Sequence, residues 1–294
     1  MLDVFEELAR MRARGERGAL ATVISTRGST PGRETMRLLV KESGSFVGTI
    51  GGGCVEAEVV DAALEVLRDE IPRRVRYRLT EAETGTSGLL CGGEIEVFIE
   101  PVTVPTVVVF GAGHVSRDLC DVASRAGFGV TVVDDRAAFA TSAWFPTARR
   151  IVVHDSFEAC FRDLAPNEST YCVVVTRGHA MDLECADYAL HTPAAYVGLI
   201  GSRVKVQTVL ARLRDAGRLE GVDLARLHAP VGIDLGGGTH GEIAVAIVAE
   251  MVAHRRRHLE GLRAKRIPTA EMVRIAERPP RAERVEPPAG GPGA

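Results

Sequence analysis

The stretch Val107-Val108-Val109-Phe110-Gly111-Ala112-Gly113-His114-Val115-Ser116 decides the fold. Four apolar residues in a row suit a strand buried on both faces. Gly111 permits a tight turn and Gly113 lets backbone approach a phosphate. A helix opening at His114 would then present free N–H groups and its positive dipole end to an anion. Ser116 stands where a third glycine usually lies. Asp134 comes 23 residues after Gly111 and closes the run Val130–Val133, the place of an acid that bonds a ribose hydroxyl.

Outward from that turn, strand and helix patterns alternate. Strands are expected at 106–110, 129–133, 151–153, 171–176 and 196–200, and helices at 115–126, 182–190 and 204–216. Such alternation predicts a parallel sheet covered on both faces, a Rossmann-like α/β domain. In open α/β sheets ligands bind beyond the carboxyl ends of the strands. His114, Asp134, Arg136, His179, Ser202 and Arg203 all follow strand ends and are expected to converge there. Arg and His at such a place suit phosphate or an electron-rich heterocycle.

The N-terminal part reads as α+β. Leu2, Phe5, Leu8 and Met11 recur by three as on a helix face, and strands are expected at 19–25, 37–40, 46–50 and 94–99. Gly51-Gly52-Gly53-Cys54 leads into a helical pattern of Val55, Val59, Val60, Ala63, Val66 and Leu67. A thiol at a helix start meets exposed N–H groups that favour thiolate, whereas Glu56 and Glu58 nearby oppose it. Cys91 lies before Gly92-Gly93. Thiolates are soft ligands and sulfur nucleophiles, so Cys54 and Cys91, with Gly52 and Gly53, are candidates for a soft metal or for carrying sulfur. Cys120, Cys160, Cys172 and Cys185 fall in apolar or helical patterns and read as packing.

Proline-bracketed residues 100–105 mark a boundary. The expected organisation is an N-terminal domain over 1–102, a Rossmann-like domain over 103–260, and an extension over 261–294 that is disordered from about 279. From Pro279 onward five Pro and three Gly occur in 16 residues with few apolar side chains. The last helix is expected over Glu242–Ala253. Lys+Arg total 36 against 39 Asp+Glu, a balance that argues against nucleic-acid binding. No apolar run has the length of a membrane span, and the first residues lack a secretory pattern. A cytoplasmic protein with reduced thiols is expected.

Taken in order, several segments resemble the XdhC/CoxI family of accessory proteins for molybdenum hydroxylases. They are Gly48–Glu56, Leu90–Glu94, Gly111–Val115, Val133–Arg136, Thr176–His179, Gly198–Arg203, Leu227–Gly232 and Glu242–Ala244. The family usually carries Thr-Pro-Glu-Glu before its last helix, where this chain has Thr239-His240-Gly241-Glu242. The resemblance implies a chaperone rather than a catalyst. It implies binding of the molybdenum cofactor, as molybdopterin or its dinucleotide, with Cys54 as a molybdenum contact. It further implies sulfuration and insertion into an apo xanthine dehydrogenase-type hydroxylase. Partners implied are that hydroxylase, a cysteine desulfurase and a cofactor nucleotidyltransferase. The last helix is apolar on most sides, as in a buried or oligomer-facing helix, and a homodimer is expected on that ground. The residues alone also allow an NAD(P)-dependent oxidoreductase or a nucleotide-sensing module. The chain lacks the cysteine clusters that iron–sulfur centres need to oxidise xanthine itself.

Overall fold

The computed structural model describes residues 3–78, 93–102, 104–236, 238–256, 259 and 266–277, with backbone only at Ala13 and Cys54. Cys91 and the tail from residue 278 lie outside the described residues. The chain divides into two units, Met1–Thr106 and Val107–Ala294. No helix among the described residues is long and apolar enough to cross a membrane.

Unit 1 contains helices α1 (Val4–Arg14) and α2 (Cys54–Asp69) and strands β1 (Gly18–Arg27), β2 (Arg37–Lys41), β3 (Phe46–Gly48), β4 (Arg73–Arg78) and β5 (Glu94–Pro101). The strands form one antiparallel sheet in the order β3-β2-β1-β5-β4. Period-two alternation sends Ala19, Ala21, Leu38 and Val40 to the face that packs on Val55, Val59, Ala63 and Val66 of α2. Leu20 and Leu39 point the other way and meet Met11 and Leu8 of α1. The expected stripe on α1 is displaced: Phe5 is 53% exposed, with the Arg37 guanidinium over its ring, and Val4, Leu8 and Met11 do the packing. β4 has no apolar run to announce it. Val75 and Tyr77 turn toward the core, while Arg74 and Arg76 pair with Glu96 and Glu94 of β5 on the opposite face.

Unit 2 alternates β6 (Thr106–Phe110), α3 (His114–Arg125), β7 (Gly129–Asp134), β8 (Arg150–Val153), α4 (Phe157–Phe161), β9 (Thr170–Val174), α5 (His179–Leu190), β10 (Tyr196–Leu199), α6 (Arg203–Asp215), β11 (Leu227–His228), α7 (His240–Arg255) and α8 (Thr269–Ala276). A six-stranded parallel sheet runs β11-β10-β9-β6-β7-β8. Val108 and Phe110 of β6 pack with α4, α5, α6 and α8. Val107 and Val109 pack with α3 and α7 on the other face. The central strand is therefore buried on both sides, which is why its sequence is a continuous apolar run rather than an alternating one.

Residues 266–277 depart from the expected extension. Ile267 and Met272 are fully buried in the core of unit 2, so α8 belongs to the domain. The altered sequence before α7 keeps its cap: Thr239 accepts from the Glu242 N–H, and Glu242 accepts from the Thr239 N–H. Cys120, Cys160, Cys172 and Cys185 are buried in the two cores. Burial raises each thiol, Cys172 to about 12.

One polar cluster ties α7 to the sheet. Glu250, fully buried, accepts from the Tyr196 hydroxyl at 2.9 Å and the Gly232 N–H at 2.6 Å, and lies 3.0 Å from His228 Nδ1. Burial alone would raise this carboxyl, but bonds from His228, Gly232 and Tyr196 outweigh it and hold it below the usual range. His254 sits 3.1 Å from the Tyr171 hydroxyl, and burial, with His228 nearby, pushes its imidazole down to about 4. Between that value and the unfolded value near 6.5, the unfolded chain binds more protons than the folded one, so stability falls as pH is lowered through this window. The expected loss is about 3 kcal/mol between pH 6.5 and 4, measured as a denaturant midpoint shift that His254→Phe flattens. Glu250→Ala, which leaves His228 and Tyr196 without their partner, should cost about 3–5 kcal/mol at neutral pH.

Candidate functional site

The chain leaves β6 toward β7 on one side and later returns to place β9 on the other. That reversal opens a crevice beyond the carboxyl ends of β6 and β9. Gly111 has φ +112°, and a Cβ there would stand 2.6 Å from the Val175 carbonyl oxygen, so only glycine lets the turn lie against the end of β9. Gly113 starts α3 with no side-chain cap, and a Cβ on it would meet nothing within 4 Å. The helix start therefore faces open space. A cavity of about 540 Å³ occupies that space, within the range of small-molecule sites.

Two kinds of side chain line it. His114, Arg136, Thr176 and Arg177 are polar or charged. Ala138, Phe139, Ala143 and Trp144 are apolar, and the two kinds interleave. The Arg136 guanidinium lies 4.1 Å from the centre of the Phe139 ring, and the Arg117 guanidinium 4.4 Å from that of Trp144. The His114 ring stacks on His240, 5.2 Å between centres, and meets Trp144 edge-on.

Asp134 lies beneath this cavity, fully buried. Its carboxylate accepts from the Ala112 N–H at 2.6 Å, the Arg136 N–H at 2.9 Å, and Arg136 Nε and Nη2 at 2.8 and 2.9 Å. Both oxygens are thus taken by the chain itself, and a ribose hydroxyl would have to displace Arg136. Arg177 pairs with both oxygens of Asp135, and this bond holds the Asp135 carboxyl below its usual range.

The strand-end residues do not form one group. Gly111, Gly113, His114 and Arg136 share the cavity. His179 and Ser202 line a second cavity of about 320 Å³ beside β10. Arg203, exposed at the first position of α6, lines neither. The physical reason is strand order: β10 lies beyond β9 from β6, so its end opens onto the next gap in the sheet. Ser202 caps α6 by accepting from the Lys205 N–H. Sequence reasoning passed over Arg177, Phe139 and Trp144. Trp144 is the only tryptophan of the chain and stands beside Phe145 in a connecting segment, which was the available signal.

In unit 1 the glycine-flanked start of α2 is a second candidate. Glu56 Oε1 accepts from the Thr49 hydroxyl at 2.5 Å, the Ile50 N–H at 3.1 Å and the Gly52 N–H at 3.2 Å. The Gly52 amide expected to face a ligand is therefore used to brace the loop. A Cβ on Gly51 would come 2.5 Å from the Gly32 nitrogen, so the two loops meet backbone to backbone. Gly53 precedes α2 without a side-chain cap, and Cys54 is the first helical residue. No group of three or more His, Cys, Asp or Glu among the described residues forms a metal site.

Gly111→Ala should destabilise unit 2 by about 2 kcal/mol or more, because a Cβ strikes β9 backbone at a positive φ. Gly113→Ala, in open space, should leave the thermal midpoint nearly unchanged while obstructing whatever docks at α3. Glu56→Ala should cost unit 1 about 1–3 kcal/mol by freeing two amides and a hydroxyl, read from its unfolding midpoint.

Comparison with known proteins follows the same division. Residues 107–251 match the XdhC Rossmann domain, and residues 11–78 match the XdhC and CoxI family. The uncharacterised protein YqeB of Escherichia coli K12 is 35% identical over 265 residues, covering 90% of this chain and 48% of YqeB. A Bacillus subtilis protein named as a probable xanthine dehydrogenase subunit is 29% identical over 160 residues, covering 54% of this chain and 45% of that protein. The chain thus spans about half the length of these curated relatives. A crystal structure of a xanthine dehydrogenase from Bacillus halodurans aligns at TM-score 0.45 and 22% identity, over 88% of this chain and 97% of that one. The chain belongs to the XdhC and CoxI family, and its parallel-sheet unit is the Rossmann domain of that family.

Proposed function

We propose that the chain is an accessory protein of a xanthine dehydrogenase-type hydroxylase, which holds the molybdenum cofactor and helps its sulfuration and insertion. The observation that carries this reading is the cavity at the β6–β9 crevice of a family member: an uncapped helix start facing open space, lined by cationic and aromatic side chains. The name of the Bacillus subtilis relative supports the association with xanthine dehydrogenase.

The cofactor fits the donors present. The first-turn amides of α3 and the His114 ring would take its phosphate. Phe139 and Trp144 would flank its flat pterin, with Arg136 bounding the slot. Cys54 is the soft-ligand candidate of unit 1, for molybdenum or for sulfur delivered by a cysteine desulfurase. When bound, the group supplies a dithiolene-held metal that serves the recipient hydroxylase. The chain's own part is to bind it, orient it and keep water from one face. An NAD-dependent oxidoreductase would need an acid free for the ribose, and Asp134 is engaged by Ala112 and Arg136.

The test is to purify the chain from cells that make the cofactor and from cells that cannot, then assay released pterin by fluorescence and molybdenum by mass spectrometry. Pterin should be present only in the first preparation. Gly113→Ala should lower it by about tenfold, a loss of about 1.4 kcal/mol in binding. Cys54→Ala should keep pterin and lose the sulfur that cyanide releases from the chain. Equal pterin in the two preparations would overturn the reading.

A further inference from the structure

The outer side of α6 carries a trough that cofactor binding leaves unused. α6 lies between α5 and α8, and Val204, Thr208 and Arg212 stack along its exposed side at intervals of four residues. Toward α8 this stripe borders a groove of about 660 Å³, and toward α5 the cleft of about 320 Å³. Both hollows include Val204, Thr208 and Arg212, so they form one continuous surface astride the helix. Val204 is 71% exposed, an apolar side chain standing in a charged setting.

The charge on this surface is uneven. Lys205, Arg212, Arg214 and Arg274 line it against two acids, Asp215 and Glu271. Asp215 is held by Arg214, and Glu271 accepts from Gln207. Arg274 bonds only a backbone carbonyl of its own helix, and neither it nor Arg212 has a carboxylate partner among the described residues. Two guanidinium groups therefore lie without counter-charge toward the C-terminal end of α6, about two helical turns along the stripe from the exposed valine.

We propose that this trough docks an acidic segment of a partner protein, with an apolar residue over Val204 and carboxylates at Arg212 and Arg274. Helix-in-groove recognition of this kind sets apolar anchors within a complementary charged rim. The chain's own tail is a poor occupant, since residues 278–294 contain three Arg and two Glu. A second copy placed symmetrically would set basic face on basic face.

The trough adjoins the cavity through one short loop. Thr176 and Arg177 line the cavity, and His179 lines the trough. Thr176 donates to Asp182 Oδ1 at 2.7 Å, and Lys205 Nζ lies 2.5 Å from Asp182 Oδ2. A carboxylate drawn to Lys205 competes with Asp182, which braces Thr176 in the cavity wall. Resting on the cofactor-carrying role proposed above, this makes the docked partner the recipient of the cargo.

The full chain would carry p-benzoylphenylalanine in place of the exposed Thr208 and be co-expressed with its hydroxylase, irradiated, and mapped by mass spectrometry. The expected product joins residue 208 to an acidic segment of the hydroxylase, in a yield that falls with salt. Arg212→Glu combined with Arg274→Glu should cut that yield about tenfold. Arg125→Glu, on α3 across the sheet, should leave it unchanged. No product, or one to residues 278–294, to a second copy, to nucleic acid or to a basic segment, overturns the proposal. Pterin assayed in the same samples separates the two ideas. Crosslinking without pterin sinks the cofactor reading and keeps the trough as a docking site, whereas pterin without crosslinking does the reverse.

Discussion

The buried carboxylate of Asp134 joins the turn after β6 to the loop after β7. It receives both the glycine-turn amide and the Arg136 side chain. A fully buried charge is tolerated only when its lone pairs are satisfied, and here four hydrogen bonds satisfy them. The same bonds fix where the guanidinium sits, hence where Phe139 can lie against it, hence the shape of that part of the cavity. Charge satisfaction at the floor thus sets binding geometry above it.

Glycine plays two different parts in that construction. At Gly111 it removes a clash with β9; at Gly113 it removes nothing that the chain itself needs. Space left empty beside an uncapped helix start is a property of the surroundings, and it leaves the first-turn amides of α3 open to the cavity. In unit 1 Glu56 takes the Ile50 and Gly52 amides of the loop before α2, so the glycine loop there is braced by a side chain, whereas Gly113 is followed directly by α3.

Much of the fold was legible. The strands of unit 2 showed because burial on both faces demands unbroken apolar runs, and the turn at Gly111–Gly113 showed because few residue types tolerate it. β4 was hidden because its outward positions are arginines that pair across to Glu94 and Glu96. α8 was hidden because eight residues give too few repeats for a period to stand out, although Ile267 and Met272 anchor it. The division of the strand-end residues between two hollows was not legible at all. It follows from strand order, which hydrogen bonding between distant segments decides. Asp134 was correctly placed at its strand end, but its bond to Arg136, two residues on, turns it from a ligand group into a structural one.

The four cysteines sealed in the cores of unit 2 have a practical consequence. Their thiols are protonated at physiological pH and closed to solvent, so alkylating reagents applied to the native protein have no foothold there. Any rapid labelling, persulfide or mixed disulfide found on the folded chain must then reside on Cys54 or Cys91, which makes a simple mass increment a readout of sulfur chemistry confined to the N-terminal unit.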